Sequence, residues 1–373
     1  MNRILILGGG CGGLTVAQAL RFVPAHVTLV DRESSYLFQA KLYAAAVGSA
    51  EPRSLRIPHK SLLAGQPNVE LITGEAVYLD VRQRRLVLTD RALPYDVLVV
   101  ATGSRLCYPR EDWEGTAPGL KSAEDAKRIR EKLQDRDTTV VVVGGGVAGV
   151  ELAAATAKAD RTRRVVLVEE GARILSGFPE RLSKDAEAQL ARLGVEIRYG
   201  LHVIGMDRES VRFSGANGRE KILSRAVLWA GGVEGSGFGA VLKRETGVQL
   251  DETGRVCVNS DLAVPGHPEI FVIGDLARVI HDGRPLDGLA TVASQQGRYV
   301  ASSIRERMAG YDAAPFEYVD QGRFAIVGRG GVGVMGDTQL RGTSAWLASK
   351  LAQRWSAPGS TSQRYSAATG SRT

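Results

Sequence analysis

Two stretches of the chain show the same order of apolar and polar positions. In the first, an apolar run at 3–7 leads through a glycine-rich turn to a segment of helical spacing at 14–22, and a second run, 27–30, ends at Asp31. In the second, the run 138–143 leads to an alanine-rich helix, and the run 165–168 ends at Glu169. Short unbroken apolar runs on either side of a helical period predict strand, helix and strand. The chain is therefore predicted to contain two βαβ units.

Glycines at fixed spacing occupy the first strand-to-helix turn. Gly8 permits the tight turn, Gly10 lets the backbone approach a pyrophosphate at the helix N-terminus, and Gly13 allows close helix packing. Asp31 follows Gly13 by eighteen residues and can accept hydrogen bonds from a ribose. This combination of strands, helix and terminal acid predicts a nucleotide-binding site.

The second unit repeats this spacing with Gly144, Gly146 and Gly149. The acid Glu169 suits the free 2′-hydroxyl of NADH and repels the 2′-phosphate of NADPH, whereas Arg173 keeps NADPH open as the alternative. Two nucleotide sites on one chain indicate that the donor and the acceptor of a hydride are both bound nucleotides. This arrangement favours a flavoenzyme over a simple dehydrogenase.

The order of the segments predicts an α/β protein with two Rossmann-like dinucleotide-binding domains, one inserted in the other. A helix over 121–133, with Ser122 and Asp125 at its start, separates the two units. The run 226–229 closes the inserted domain and the run 270–273 returns to the outer one. The predicted boundaries are 1–118 and 247–325 for the outer domain, 119–246 for the inserted domain, 326–357 for a C-terminal segment and 358–373 for a disordered tail.

Composition and charge narrow the class of protein. The chain has 373 residues, of which 44% are hydrophobic and 24% charged, as is ordinary for a folded globular protein. No apolar run approaches the roughly 20 residues that cross a bilayer, and the first apolar run is too short for a secretory signal. The net charge of +7 favours an anionic partner, either a lipid surface or the dinucleotides themselves. No recognition motif predicts binding to nucleic acid.

The cysteines and histidines suggest neither a disulfide framework nor a metal site. Cys11, Cys107 and Cys257 are widely spaced, and the five histidines lack metal-ligand spacing. We expect a reducing, cytoplasmic environment. Cys11 lies in the glycine turn, where a small packing residue fits better than a nucleophile.

Two further turns extend the pattern, one at Ala101, Thr102 and Gly103 and the other at 273–275. Together with the two glycine turns, they resemble the two-dinucleotide-binding flavoprotein disulfide reductase superfamily. The resemblance implies that the first turn holds FAD without a covalent bond, that the second holds NADH, and that Asp275 bonds the ribityl and pyrophosphate part of FAD. Disulfide reductases and sulfide:quinone reductases need redox cysteines that this chain lacks.

Longer motifs resemble a narrower family, the type II NADH dehydrogenases, which pass electrons from NADH through FAD to a quinone without pumping protons. The segments that carry this resemblance are 36–38, 42–43, 146–151, 229–233 with Gly231, 290–297, 315–318, 328–329 and 342–347. By resemblance, Glu151 orients the nicotinamide or relays a proton. The alternative is a glutamate near a helix N-terminus that is solvated or pairs with the helix dipole. Gln295 matches the second glutamine of the quinone motif, on a helix that begins near Leu289, while Thr291 replaces the first. Because neither Gln295 nor Gln296 can titrate, the expected role of both is a hydrogen bond to a quinone carbonyl. For Gln296, an exposed polar residue is an equal alternative.

The C-terminus departs from the family. The family continues into an amphipathic segment that rests in the membrane interface, whereas this chain ends in small polar residues. We expect a truncated or frame-shifted end, with residual membrane affinity carried by apolar and basic residues of one helix; packing against the protein body explains their spacing equally well. These residues are Trp346, Leu347, Leu351 and Trp355, with Lys350 and Arg354.

The leading prediction is an FAD-dependent NADH:quinone oxidoreductase, peripheral on the cytosolic face of an anionic membrane, that uses menaquinone or ubiquinone. Two alternatives stay open. One is a soluble NADH:acceptor reductase with an incomplete quinone site. The other is a redox-responsive protein that signals through a long-lived complex with reduced flavin and NAD+. The oligomeric state is open, with a homodimer among the options.

Overall fold

A computed structural model describes residues 2–356, with side chains described as far as 354. Its first sheet has the strands Ala263–Val264, His267–Val272, Val97–Val100, Asn2–Leu7, Ala25–Asp31 and Val69–Thr73 in spatial order. Neighbouring strands are parallel, apart from the antiparallel first pair. Because parallel strands end at the same edge of a sheet, the turns after Leu7, Asp31 and Val100 lie close together.

The second sheet has the parallel strands Val195–Arg198, Val165–Val168, Val140–Val143 and Ala226–Trp229. The last three are buried throughout, as expected for strands covered on both faces. An antiparallel sheet of His202–Met206, Ser210–Gly215 and Gly218–Leu223 shares a core with one face. This second parallel sheet confirms the second βαβ unit.

A small antiparallel sheet near the C-terminus covers the other face of the second core. Its strands are Arg323–Val327, Gly330–Met335 and Thr338–Arg341, and side chains such as Ala325 and Val332 belong to that core. The remaining sheets are the three-stranded Ala76–Asp80, Arg85–Leu88 and Ala92–Pro94, and the two-stranded pairs Ser35–Leu37 with Arg56–Pro58, Ser104–Leu106 with Val233–Gly235, Val256–Cys257 with Ala277–Arg278, and Ile280–His281 with Arg284–Pro285.

The α-helices within the described residues are α1 Cys11–Ala19, α2 Leu42–Ala46, α3 His59–Leu62, α4 Asp112–Thr116, α5 Ala123–Lys132, α6 Val147–Ala159, α7 Glu180–Arg192, α8 Phe238–Thr246, α9 Ala290–Met308 and α10 Thr343–Ser356. Short 3-10 helices are at Gln39–Lys41, Pro52–Leu55 and Gly274–Leu276. Helix α1 begins three residues before its predicted start because the glycine turn itself forms the first helical turn. Over residues 2–356, no helix is long and apolar enough to span a bilayer.

The domain boundaries stay a prediction, and two elements bear on them. Phe238 and Leu242 of α8, within the predicted inserted domain, are buried in the core of the first sheet. The strand Arg323–Val327 runs across the predicted boundary at 325/326. The predicted disordered tail, 358–373, lies outside the described residues.

Candidate functional site

The two glycine loops, Gly8–Gly13 and Gly144–Gly149, start with the same strained geometry. Gly8 and Gly144 each have a φ of +108°, in a region that side chains rarely adopt. A Cβ at Gly8 would overlap the carbonyl oxygen of Ala101, and a Cβ at Gly144 would overlap that of Ala230. Both positions therefore require glycine because the next strand of the sheet passes directly behind them.

The last glycine of each loop brings the helix close to its own strand. A Cβ at Gly13 would overlap the carbonyl oxygen of Gly8, and one at Gly149 would overlap that of Gly144. These contacts agree with the helix-packing role expected of this position.

The third glycine of each loop leaves open space instead. Gly10 and Gly146 are the N-caps of α1 and α6, and a Cβ on either would meet no protein atom within 4 Å. Among the described residues, no side chain caps these two helix ends. The backbone N–H groups of the first turn are thus directed at a volume that an anionic phosphate group fits.

An acid at the end of the second strand supports each loop in the same way. Asp31 accepts hydrogen bonds from the N–H groups of Gly9 (2.5 Å) and Glu33 (2.7 Å). Glu169 accepts them from Gly145 (2.6 Å) and Gly171 (2.7 Å). Both predicted ribose acceptors therefore stand beside the glycine loops.

Arg173, on which the alternative of NADPH as the cofactor rests, forms hydrogen bonds with the backbone. Its guanidinium donates hydrogen bonds to the backbone carbonyls of Leu175, Ser176 and Phe178. These bonds hold the guanidinium to the backbone of the loop that follows the second strand of this βαβ unit.

The first glycine loop opens into a cleft of about 640 Å³. The cleft gathers most of the predicted FAD-binding residues: Gly8, Gly10, Asp31, Ala101, Thr102, Gly103 and Asp275. Gly231, predicted for the inserted domain, instead lies against the Trp229 ring, which a Cβ there would overlap. One contiguous cleft with a phosphate-binding loop at its floor can hold a dinucleotide.

Lys121 also lines this cleft, although no motif predicts it. Its Nζ donates to the Ser104 hydroxyl at 2.7 Å and lies 3.5 Å from the Asp275 carboxylate. Ser104 in turn donates to Asp275 at 2.7 Å. The predicted ribityl-binding acid is therefore oriented by a serine and a lysine.

Gln296 forms a hydrogen bond with the turn 273–275, which contains Asp275. This side chain is buried, and its Oε1 accepts a hydrogen bond from the N–H of Gly274 at 2.6 Å. The alternative of an exposed polar residue is wrong for Gln296 because α9 turns it toward the 273–275 turn.

Glu151 is partly buried between α6, α2 and the C-terminal sheet. Its carboxylate accepts hydrogen bonds from the N–H of Ile326 at 2.9 Å and from the Tyr43 hydroxyl. Loss of water around the carboxyl outweighs these bonds and the charge of Lys350, and raises the pKa of Glu151 to about 7. The alternative of a solvated glutamate does not describe this environment.

Gln295 is not brought into the cleft. Its amide group donates to the carbonyl of Val319 and accepts from the N–H of Val319, both at 3.0 Å. Helix α9 does begin at Ala290 with Leu289 as its N-cap, as predicted. The quinone-binding role of Gln295 stays a prediction.

Cys11 lies at the start of α1 against α9. Its sulfur is 3.0 Å from the Ser294 hydroxyl, and burial raises the pKa of the thiol to about 11. The thiol is thus protonated at neutral pH, which fits a packing role. In the part of the chain that the structure describes, no cluster of side chains has the makeup of a metal site.

Helix α10 packs through small residues and presents apolar ones to solvent. Ala345, Ser349 and Ala352 are buried, whereas Leu347 and Leu351 are 55% and 46% exposed. Packing against the protein body therefore does not explain the positions of Leu347 and Leu351.

Comparison with known proteins agrees with this geometry. Residues 2–297 match the pyridine nucleotide-disulphide oxidoreductase family. The chain is 34% identical over 384 residues to the type II NADH:quinone oxidoreductase Ndh of Mycobacterium tuberculosis, covering 93% of this chain and 82% of that protein. It is 28% identical to the demethylphylloquinone reductase NdbB of Synechocystis, covering 94% and 90%. The structure of NDH2 from Plasmodium falciparum in complex with NADH shares the fold, with a TM-score of 0.82 and 17% identity over 95% of this chain and 96% of that one.

Proposed function

Because this chain belongs to the pyridine nucleotide-disulphide oxidoreductase family, and within it to the type II NADH:quinone oxidoreductases, we propose that it transfers electrons from NADH through FAD to a quinone. The observation that carries the proposal is the pair of equivalent glycine loops, each with its acid. One chain thereby offers two places for a dinucleotide.

The residues of the cleft fit FAD. The open space in front of Gly10, the N-terminus of α1 and the carboxylate of Asp31 suit a pyrophosphate and an adenosine ribose. Asp275, oriented by Ser104 and Lys121, offers hydrogen-bond acceptors to a ribityl chain. When bound, FAD supplies the hydride acceptor and the two-electron carrier of the reaction.

The second glycine loop suits NADH. The space in front of Gly146 is open, and the Glu169 carboxylate, which bonds the N–H of Gly145, would repel the 2′-phosphate of NADPH. Since Arg173 is bonded to backbone carbonyls, like-charge repulsion at Glu169 sets the preference for NADH.

Glu151 acts as a proton donor for quinone reduction. Reduction of a quinone to a quinol takes up two protons, one more than a hydride delivers. A carboxyl with a pKa of about 7 holds and releases a proton at neutral pH. The Tyr43 hydroxyl and the Ile326 N–H fix the orientation of this carboxyl.

Helix α10 supports docking on a membrane surface. Trp346, Leu347 and Leu351 are exposed beside the exposed cations Lys350 and Arg354. Apolar side chains flanked by cations match the interface of an anionic bilayer, where a lipophilic quinone resides. On this ground we propose a peripheral position on the cytoplasmic face of the membrane.

A second candidate function is an NADH:acceptor reductase that does not use membrane quinone. The observation that favours it is the engagement of both amide atoms of Gln295 by Val319, together with the burial of Thr291. Steady-state rates with NADH, measured against menaquinone and ubiquinone analogues and against ferricyanide, separate the two functions. Rapid turnover with ferricyanide and none with either quinone would support the reductase and overturn the quinone proposal.

A further inference from the structure

The carbonyl of the second glycine in each loop accepts a hydrogen bond from a different kind of donor. In the second loop, the carbonyl of Gly145 accepts from the backbone N–H of Leu175 at 2.8 Å. In the first loop, the equivalent carbonyl of Gly9 accepts from a side chain, the Nε2 of His59, at 3.1 Å. The first loop therefore depends on one side chain for an interaction that the second receives from the backbone.

His59 is buried, and its backbone is held by two hydrogen bonds. The residue is only 4% exposed and opens α3, where its N–H donates to the carbonyl of Ser34 at 3.0 Å and its carbonyl accepts from Leu63 at 3.0 Å. Because a carbonyl only accepts hydrogen bonds, Nε2 must carry the proton. Burial lowers the pKa of His59, which keeps the ring neutral with the tautomer that donates.

Gly9 is held from both sides. Its N–H donates to Asp31, the predicted ribose acceptor, and its carbonyl accepts from His59. The imidazole packs directly on this residue, since a Cβ at Gly9 would overlap the ring. A shift of the Gly9 peptide would thus move both the glycine loop and the carboxylate of Asp31.

We propose that His59 is a positioning residue for the FAD site: it orients the Gly9 peptide, and through it Asp31, for cofactor binding. This inference rests on the proposed function, since it takes FAD as the occupant of the first loop. Its specific consequence is that His59 affects FAD binding and leaves NADH binding unchanged, because the second loop uses the N–H of Leu175.

The test is an FAD titration of the apoprotein, followed by flavin fluorescence. His59→Leu removes the donor, His59→Gln retains an N–H donor, and His26→Leu replaces an exposed histidine on the strand Ala25–Asp31 as the control. Leaving a buried carbonyl without its partner should raise the FAD Kd of H59L about tenfold, with H59Q within about threefold of wild type. The KM for NADH, measured at saturating FAD, should change less than about twofold in all three variants.

The possible outcomes separate the two proposals. Equal FAD Kd values for wild type and H59L, or equal losses in FAD and NADH binding, would overturn the positioning role. If H59L is recovered unfolded, His59→Met replaces it, and failure of excess FAD to restore either variant would also contradict a role confined to the FAD site. A wild-type protein that takes up no FAD would instead contradict the proposed function.

Discussion

The Tyr43 hydroxyl donates a hydrogen bond to the Glu151 carboxylate and so joins α2 to α6. Helix α6 carries the second glycine loop at its start, and α2 follows a segment that lines the cofactor cleft. A carboxyl with a pKa of about 7 therefore lies where α2 meets the helix that follows the second glycine loop.

Replacement of Glu151 by glutamine should remove a titration from quinone reduction. We expect the wild-type pH profile of kcat to show an ionisation near pH 7, and E151Q to lack it and to be slower by about 100-fold. The matched control is Glu252→Gln, an exposed acid far along the chain. An E151Q profile that keeps the ionisation near pH 7 would assign it to another group.

The raised pKa of Glu151 should make its contribution to the stability of the fold decrease as the pH rises. The pKa of Glu151 is raised in the folded protein to about 7 from about 4.5, so the folded state holds the proton more tightly than the unfolded state. Its contribution is fully present below pH 4.5 and is lost as the pH rises through 7. The Tm of wild type minus that of E151Q should therefore fall between pH 4.5 and pH 8. A difference that grows with pH would contradict the raised pKa.

Glu169→Gln should relax the choice of nicotinamide cofactor. Without the carboxylate, the 2′-phosphate of NADPH no longer meets a like charge, and the kcat/KM ratio of NADPH to NADH should rise at least about tenfold. Glu170→Gln removes the adjacent exposed acid and should leave the ratio unchanged. If both variants shift the ratio equally, the effect is general electrostatics and Glu169 has no special role.

Alanine at the third glycine of each loop should weaken cofactor binding and leave the stability of the fold nearly unchanged. A methyl group at Gly10 or Gly146 meets no protein atom, yet it projects into the volume assigned to a phosphate. We expect Gly10→Ala to weaken FAD binding by at least about tenfold and Gly146→Ala to weaken NADH binding similarly, with little change in Tm. Gly13→Ala provides the contrast, because its overlap with the Gly8 carbonyl should lower the Tm. Loss of FAD in G146A but not in G10A would reverse the assignment of the two sites.

The exposed face of α10 should govern attachment to lipid. Leu347→Ser combined with Leu351→Ser removes about 2 kcal/mol of apolar burial in a bilayer, or roughly a 30-fold loss of binding to vesicles with anionic lipid. Reduction of ferricyanide should be unaffected. Leu223→Ser is the control, because this leucine lies on the strand Gly218–Leu223 and is 70% exposed. Vesicle binding that survives the double substitution would place the lipid contact elsewhere.

The parts of the fold and site that sequence predicts are local. Gly8, Gly13 and Asp31 act through strand, turn and helix in one stretch of chain, and their spacing alone predicts their geometry. The predicted helix start at Ser122 and Asp125 is also confirmed, since the two residues exchange hydrogen bonds at the start of α5.

The parts that sequence does not predict depend on distant contacts. His59 meets Gly9 across 50 residues, and Glu151 meets the N–H of Ile326 across 175. Nothing in the spacing of these residues indicates which strand or loop will pack beside them. For the same reason Gln295, placed by a motif, proves to be bonded to Val319, a partner that the motif does not include.

The most direct test of the account is an anaerobic absorbance measurement on the purified protein. We predict a yellow protein with one FAD per chain. One equivalent of NADH should bleach the flavin absorbance, and a short-chain quinone should restore it within the turnover time. A protein that carries FAD but whose absorbance NADH leaves unchanged would contradict the central claim, as would bleached flavin that a quinone does not restore.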